Sequence, residues 1–169
     1  MIKGIKLALA KRRISNSNKS FSGELKMPIT SVAILLDSVN IKSLPILLKL
    51  KQELNLKDSS FKVILFKEKE EDYPGYDGLT FVEENLSFFG NLNNKEMLDF
   101  TKNHVDLLII FAEENNVPIN LLTINSRACL KVGNDPKSEK ILDVVIRSGD
   151  AAEVFTSELI KFLKQFKNT

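Results

Sequence analysis

The feature that most constrains this chain is an apolar run of strand length, then a helix, then a second such run. Val105 to Phe111 reads VDLLIIF, Asn116 to Ile124 has helical character with Pro118 in its first turn, and Cys129 to Gly133 reads CLKVG. Apolar strands alternating with helices imply a parallel sheet covered on both faces. That restricts the chain to the α/β class.

The rest of the sequence repeats the pattern. Ser31 to Leu36 is β-like and stops at the polar pair Asp37-Ser38. Ser43 is placed to cap a helix with Pro45 in its first turn, where a missing N–H is tolerated, and Leu44, Leu47, Leu48 and Leu54 supply its apolar face. Phe61 to Phe66 is a second strand. From Lys67 to Leu92 regularity fails: Glu68, Glu70, Glu71, Asp72, Asp77, Glu83 and Glu84 surround Tyr73 to Gly78. Irregular connections this long are often functional or disordered, and this one is expected to be solvated and to offer partner contacts. Leu79 to Val82 and Leu86 to Phe89 are candidate edge strands within it.

Order resumes with a helix from Asn94 to Asn103 that turns Met97, Leu98 and Phe100 inward, followed by strand three, Val105 to Phe111. Cys129 to Val132 and Asp143 to Arg147 read as strands four and five. A last helix opens with Asp150 and Glu153 spaced as a capping box, with Phe155, Leu159, Phe162 and Phe166 along one face. Five strands with right-handed crossovers favour a three-layer α/β/α sandwich of the Rossmann or flavodoxin kind. Its sheet is mostly parallel, in the order 2-1-3-4-5. The short link Asn134 to Leu142 leaves an antiparallel edge pairing open for strand five.

Residues 27–169 form a single α/β domain on this reading, and residues 1–26 a basic amphipathic helix and linker. Ile2, Ile5 and Leu9 share one helical stripe, and Lys3, Lys6, Lys11, Arg12 and Arg13 make the segment basic. Seven cations against Glu24 give residues 1–26 a charge of +6, so the overall +2 leaves −4 for the remainder. A basic arm on an acidic body points to an anionic membrane or a nucleic acid as partner. The preferred reading, however, is that the apolar stripe packs on its own domain or on a second copy in a homo-oligomer. With one cysteine, Cys129, and no apolar run approaching the ~18 residues of a membrane span, a cytoplasmic location is expected.

Ligands of such sheets sit beyond the carboxyl ends of the strands, near the switch in strand order. There the candidates are Asp37, Ser38, Glu113 and Arg147. Capping the following turns is the competing role for each. No G-x-G-x-x-G follows strand one and no phosphate-binding G-x-x-x-x-G-K-[ST] occurs, so no nucleotide cofactor is expected. No metal is expected either, since the acidic segment lacks spaced ligands. His104 falls at the opposite, amino end of the sheet, and Cys129 reads as a packed core thiol.

Three functional readings follow. The first is a non-catalytic module that binds a partner or a small ligand. The second is an enzyme using strand-end carboxylates, with Asp37 or Glu113 as acid or base. The third is a peripheral protein tethered through residues 2–13. The first is preferred, because the residues supply a fold without an assembled chemical site.

Several segments together resemble an uncharacterised family of small bacterial proteins, found mainly in Bacteroidetes and carried as a domain of unknown function. They are the Lys/Arg-rich start, Ser31–Asp37, Phe61–Phe66, Leu86–Gly90, Asp106–Ile110, Ser126–Gly133 and Asp143–Ile146. The resemblance implies a cytoplasmic bacterial protein and brings no catalytic residues. Leu130–Gly133 is also similar to a Gly-ending strand of heptosyltransferase-like glycosyltransferases. The chain has Val39-Asn40 where those enzymes carry a Gly-Asp turn.

Overall fold

The computed structural model describes residues 25–68, 71–86 and 93–167. Its strands are β1 (Val32–Asp37), β2 (Phe61–Lys67), β3 (Leu79–Val82), β4 (His104–Phe111), β5 (Arg127–Gly133) and β6 (Val144–Val145). They form one sheet in the order β3-β2-β1-β4-β5-β6. Every neighbouring pair is parallel. The order expected from sequence is preserved as β2-β1-β4-β5-β6, with β3 added beyond β2 as a sixth strand.

The helices are α1 (Leu44–Glu53), α2 (Lys95–Lys102), α3 (Val117–Asn125) and α4 (Ala152–Lys167). Central β1 is buried at all six positions, as a strand covered on both faces must be. On one face Ala33 and Leu35 of β1 and Leu108 and Ile110 of β4 meet Met97 and Phe100 of α2 and Ile119, Leu121 and Leu122 of α3. On the other, Ile34, Leu36, Ile109 and Phe111 meet Leu47 and Leu50 of α1 and Phe155, Leu159 and Leu163 of α4. The Phe111 and Phe155 rings close that layer edge to face, with centroids 5.3 Å apart. The three-layer sandwich is therefore doubly wound, with the switch in strand order between β1 and β4.

Several local expectations need correction. The last strand pairs in parallel with β5, not antiparallel, and spans two residues instead of five. Two backbone bonds extend the pairing, from the Asp143 N–H to the Lys131 carbonyl and from the Ile146 N–H to the Gly133 carbonyl. Ser43 makes no side-chain cap, because a 3-10 turn over Ser38–Ser43 runs straight into α1 and leaves Ser43 in helical conformation. Nor does Asp150 cap α4. The Phe155 N–H bonds the Ala151 carbonyl, which makes Ala151 the cap residue. Leu48, Leu98 and Phe166 are exposed at 42, 41 and 37%. A helix turns only one of two consecutive apolar residues to the sheet, and Leu47 and Met97 take those places at 0%.

The acid-rich stretch is docked where it is described. The Tyr76 hydroxyl donates toward the carbonyls of Val63 in β2 and Leu79 in β3. Tyr73 lies against the Lys67 ammonium, 6.0 Å from its ring centre. Asp72 and Asp77 stay exposed. Of the second edge strand read at Leu86 to Phe89, residues 87–89 lie outside the described residues.

Candidate functional site

At a topological switch point the loops after two adjacent strands run in opposite directions and leave a crevice between them. Here the crevice is an open recess of about 660 Å³ beyond the carboxyl ends of β1, β4, β5 and β6. That volume lies within the range of small-molecule sites. Val39, Asn40, Glu113, Asn134, Arg147 and Asp150 are among the residues that line it.

Three buried polar side chains knit the base of this region together. Asp37, only 1% exposed, accepts from the Asn40 backbone and side chain on one oxygen and from the Glu113 N–H at 2.7 Å on the other. Asn116, which caps α3 through the Ile119 N–H, reaches the same oxygen at 3.4 Å. Asn134 accepts from the Ala112 N–H at 3.1 Å and donates to the Gly149 carbonyl at 2.9 Å. Asp135 accepts from the N–H groups of Asn115 and Lys137 and from the Ser138 hydroxyl. Buried carboxylates survive in a protein when hydrogen bonds satisfy them, and these do.

Gly133 ends β5 in a tight place: a Cβ there would come within 2.7 Å of Leu142 Cδ1 and 3.2 Å of the Ile110 carbonyl.

The rim differs from the base. Glu113, Arg147 and Asp150 are exposed, and among the described residues none of the three has an ion-pair partner. Glu114 is engaged by Lys137 at 2.6 Å. The recess therefore offers one guanidinium and two carboxylates in a polar frame that is already fixed.

The sequence candidates separate accordingly. Glu113 and Arg147 both line the recess. Asp37 lies beneath it with both oxygens committed to the chain's own donors. Ser38 is half-buried in the turn that leads to α1 and is not part of the lining. Lys3, Lys6, Lys11, Arg12 and Arg13 lie outside the described residues. Asn134 and Asp150 are recess residues that sequence reasoning passed over. The signal for Asn134 was its place directly after the Gly-ended strand β5.

His104 opens β4 at the amino end of the sheet, as expected, and Cys129 is partly exposed on β5 instead of lying in the core. Burial and the nearby charge of Asp106 push the Cys129 thiol up, the opposite direction to the lowered pKa of an activated thiolate. Among the described residues, no helix is long and apolar enough to cross a membrane.

Fold and recess together define a doubly wound α/β protein with a polar crevice at its switch point. The chain belongs to a family of unknown function, DUF6913, which it matches over residues 3–166. No curated protein matches it.

Proposed function

We propose that this protein is a non-catalytic α/β binding module whose recess takes a small polar molecule. The ligand carries an anionic group for Arg147 and a cationic or hydrogen-bond-donating group for Glu113 and Asp150. One observation carries this reading. The base is built from satisfied buried side chains, while the charges on the rim are uncommitted. A frame that needs no rearrangement lowers the cost of binding.

The acid–base alternative has less support. A general base must reach a substrate proton, and both oxygens of Asp37 are held by Asn40 and Glu113 of its own chain. The tether alternative rests on residues 2–13, which lie outside the described residues.

Native mass spectra of the full-length protein taken directly from cells test the proposal. The expected result is a discrete small-molecule adduct that is lost from Arg147→Ala. Bare chains only, or an adduct indifferent to Arg147, would overturn it.

A further inference from the structure

A second constellation lies at the opposite end of the sheet, where the binding-module reading makes no use of it. His104 and Asp106 are two residues apart on β4, which sets their side chains on one face. Cys129 comes from β5. The register pairs Val105 with Ala128 and Leu107 with Leu130, so Cys129 stands beside Asp106. The strands bring imidazole, carboxylate and thiol to one place without any loop.

The distances are informative. Nε2 of His104 is 3.2 Å from Asp106 Oδ1 and 3.5 Å from Cys129 Sγ. The three ligand atoms all lie within 4.8 Å of one another. Around a tetrahedral zinc ion, ordinary bond lengths separate a nitrogen from an oxygen by about 3.4 Å and from a sulfur by about 3.6 Å. Two edges of the triangle are thus already at coordination spacing.

Asp106 is also held from behind. Its other oxygen, Oδ2, accepts from the Thr30 N–H and hydroxyl, each at 2.8 Å, and its own N–H donates to Ser31 Oγ at 2.9 Å. Outer hydrogen bonds of this kind fix a metal-binding carboxylate and leave one oxygen presented.

A Cys-His-Asp nucleophilic triad is the other chemistry these residue types suggest. It requires the imidazole to face the acid with one nitrogen and the thiol with the other. Here the same nitrogen faces both. One lone pair cannot take the thiol proton while the same atom is held by the carboxylate. Three ligand atoms mutually within 4.8 Å, two of the separations at coordination spacing, fit a shared metal ion better.

We propose that His104, Asp106 and Cys129 form a binding site for a divalent transition metal of the zinc class, with a fourth position open to solvent. Thiolate and imidazole select borderline-soft ions over magnesium or calcium. His104 is exposed, so an ion reaches the site without unfolding the sheet.

Titration of the tag-free, full-length protein with Co²⁺ tests the site. One ion per chain is expected, with near-ultraviolet thiolate-to-cobalt charge transfer and the intense visible bands of four-coordination. Charge transfer should vanish in Cys129→Ser, and affinity should fall roughly tenfold or more in His104→Ala. No charge transfer at saturating Co²⁺, or a band that survives Cys129→Ser, would overturn the proposal, as would affinity unchanged in His104→Ala. A second measurement needs no variant. Zn²⁺ should slow alkylation of Cys129, the chain's one thiol, by roughly tenfold or more, and an unchanged rate would equally sink the site.

Discussion

The two ends of the sheet place polar side chains by different means. At the carboxyl end, Asp37, Asn134 and Asp135 are buried and spend their hydrogen-bonding capacity on the backbone of neighbouring loops. At the amino end, His104, Asp106 and Cys129 are at least partly exposed and are aligned by strand register. The first set holds the loops together and leaves the exposed charges of Glu113, Arg147 and Asp150 at its rim. The second is set out on strands that form whether or not those side chains meet. Polar residues around a sheet are thus structural where they satisfy loops, and available for chemistry where the ladder already satisfies the backbone.

Substitutions break or sharpen this contrast. The largest effect is expected from Asp37→Ala, which strips the acceptor from the N–H groups of Asn40 and Glu113. A loss of about 3 kcal/mol follows from leaving such donors unpaired, measurable by urea denaturation. A cost below about 1 kcal/mol would show that water replaces the carboxylate, and the contrast would fail.

An intermediate effect belongs to the docked tyrosine. Burial chiefly pushes the Tyr76 phenol up to about 12, with the Leu65 backbone opposing and Asp77 adding to the rise. A folded-state value above the unfolded value of about 10 stabilises the protein below that pH, and the stabilisation is lost as pH rises from about 10 through the folded value. Absorbance titration of the native protein should show a phenol ionising near 12 that Tyr76→Phe removes. The same substitution should cost about 1 kcal/mol and speed amide exchange in β3.

The smallest effects are expected at the amino end. In metal-free protein His104→Ala should alter stability by no more than about 0.5 kcal/mol, as for an exposed residue. Asp106 leaves a pH signature instead. Its burial raises the carboxyl, but bonds from Thr30 and His104 outweigh this and hold it below the usual range. Its contribution is therefore present above the unfolded carboxylate value of about 4 and fades as pH falls through the folded one. Thr30→Val should shift that acid limb upward in a denaturation series; an unmoved limb would remove Thr30 from the account.

The central fold was legible because β1, β2, β4 and β5 are mostly apolar runs of strand length, and their alternation with helices favours parallel neighbours. The edges were legible only in part. Leu79–Val82 stood out as a candidate edge strand and is β3, but its place beside β2 did not, and β6 pairs through two residues, too few for a pattern. At the recess, Asp37 was legible as a strand terminus. Its task was not, since its partner Glu113 is 76 residues away. The proposed metal site was hidden for a related reason. His104 and Asp106 form a visible pair in sequence, but Cys129 joins them only through the register of two strands. Capping of α4 was misread because Asp150 and Glu153 fit the capping-box spacing, whereas the helix starts one residue later, with Ala151 as its cap residue and no side-chain cap there.

The brevity of the two outer strands has a consequence for how copies of this protein meet. A sheet invites another chain wherever it leaves a long row of open amide and carbonyl groups. Here the two outermost strands are four and two residues long. Such short rims give an intruding strand little to template upon. The apolar strands that would make a persistent aggregate, β1 and β4 above all, are flanked on both sides. Among the described residues, the ladder therefore ends in rims that offer an incoming strand few open groups to pair with.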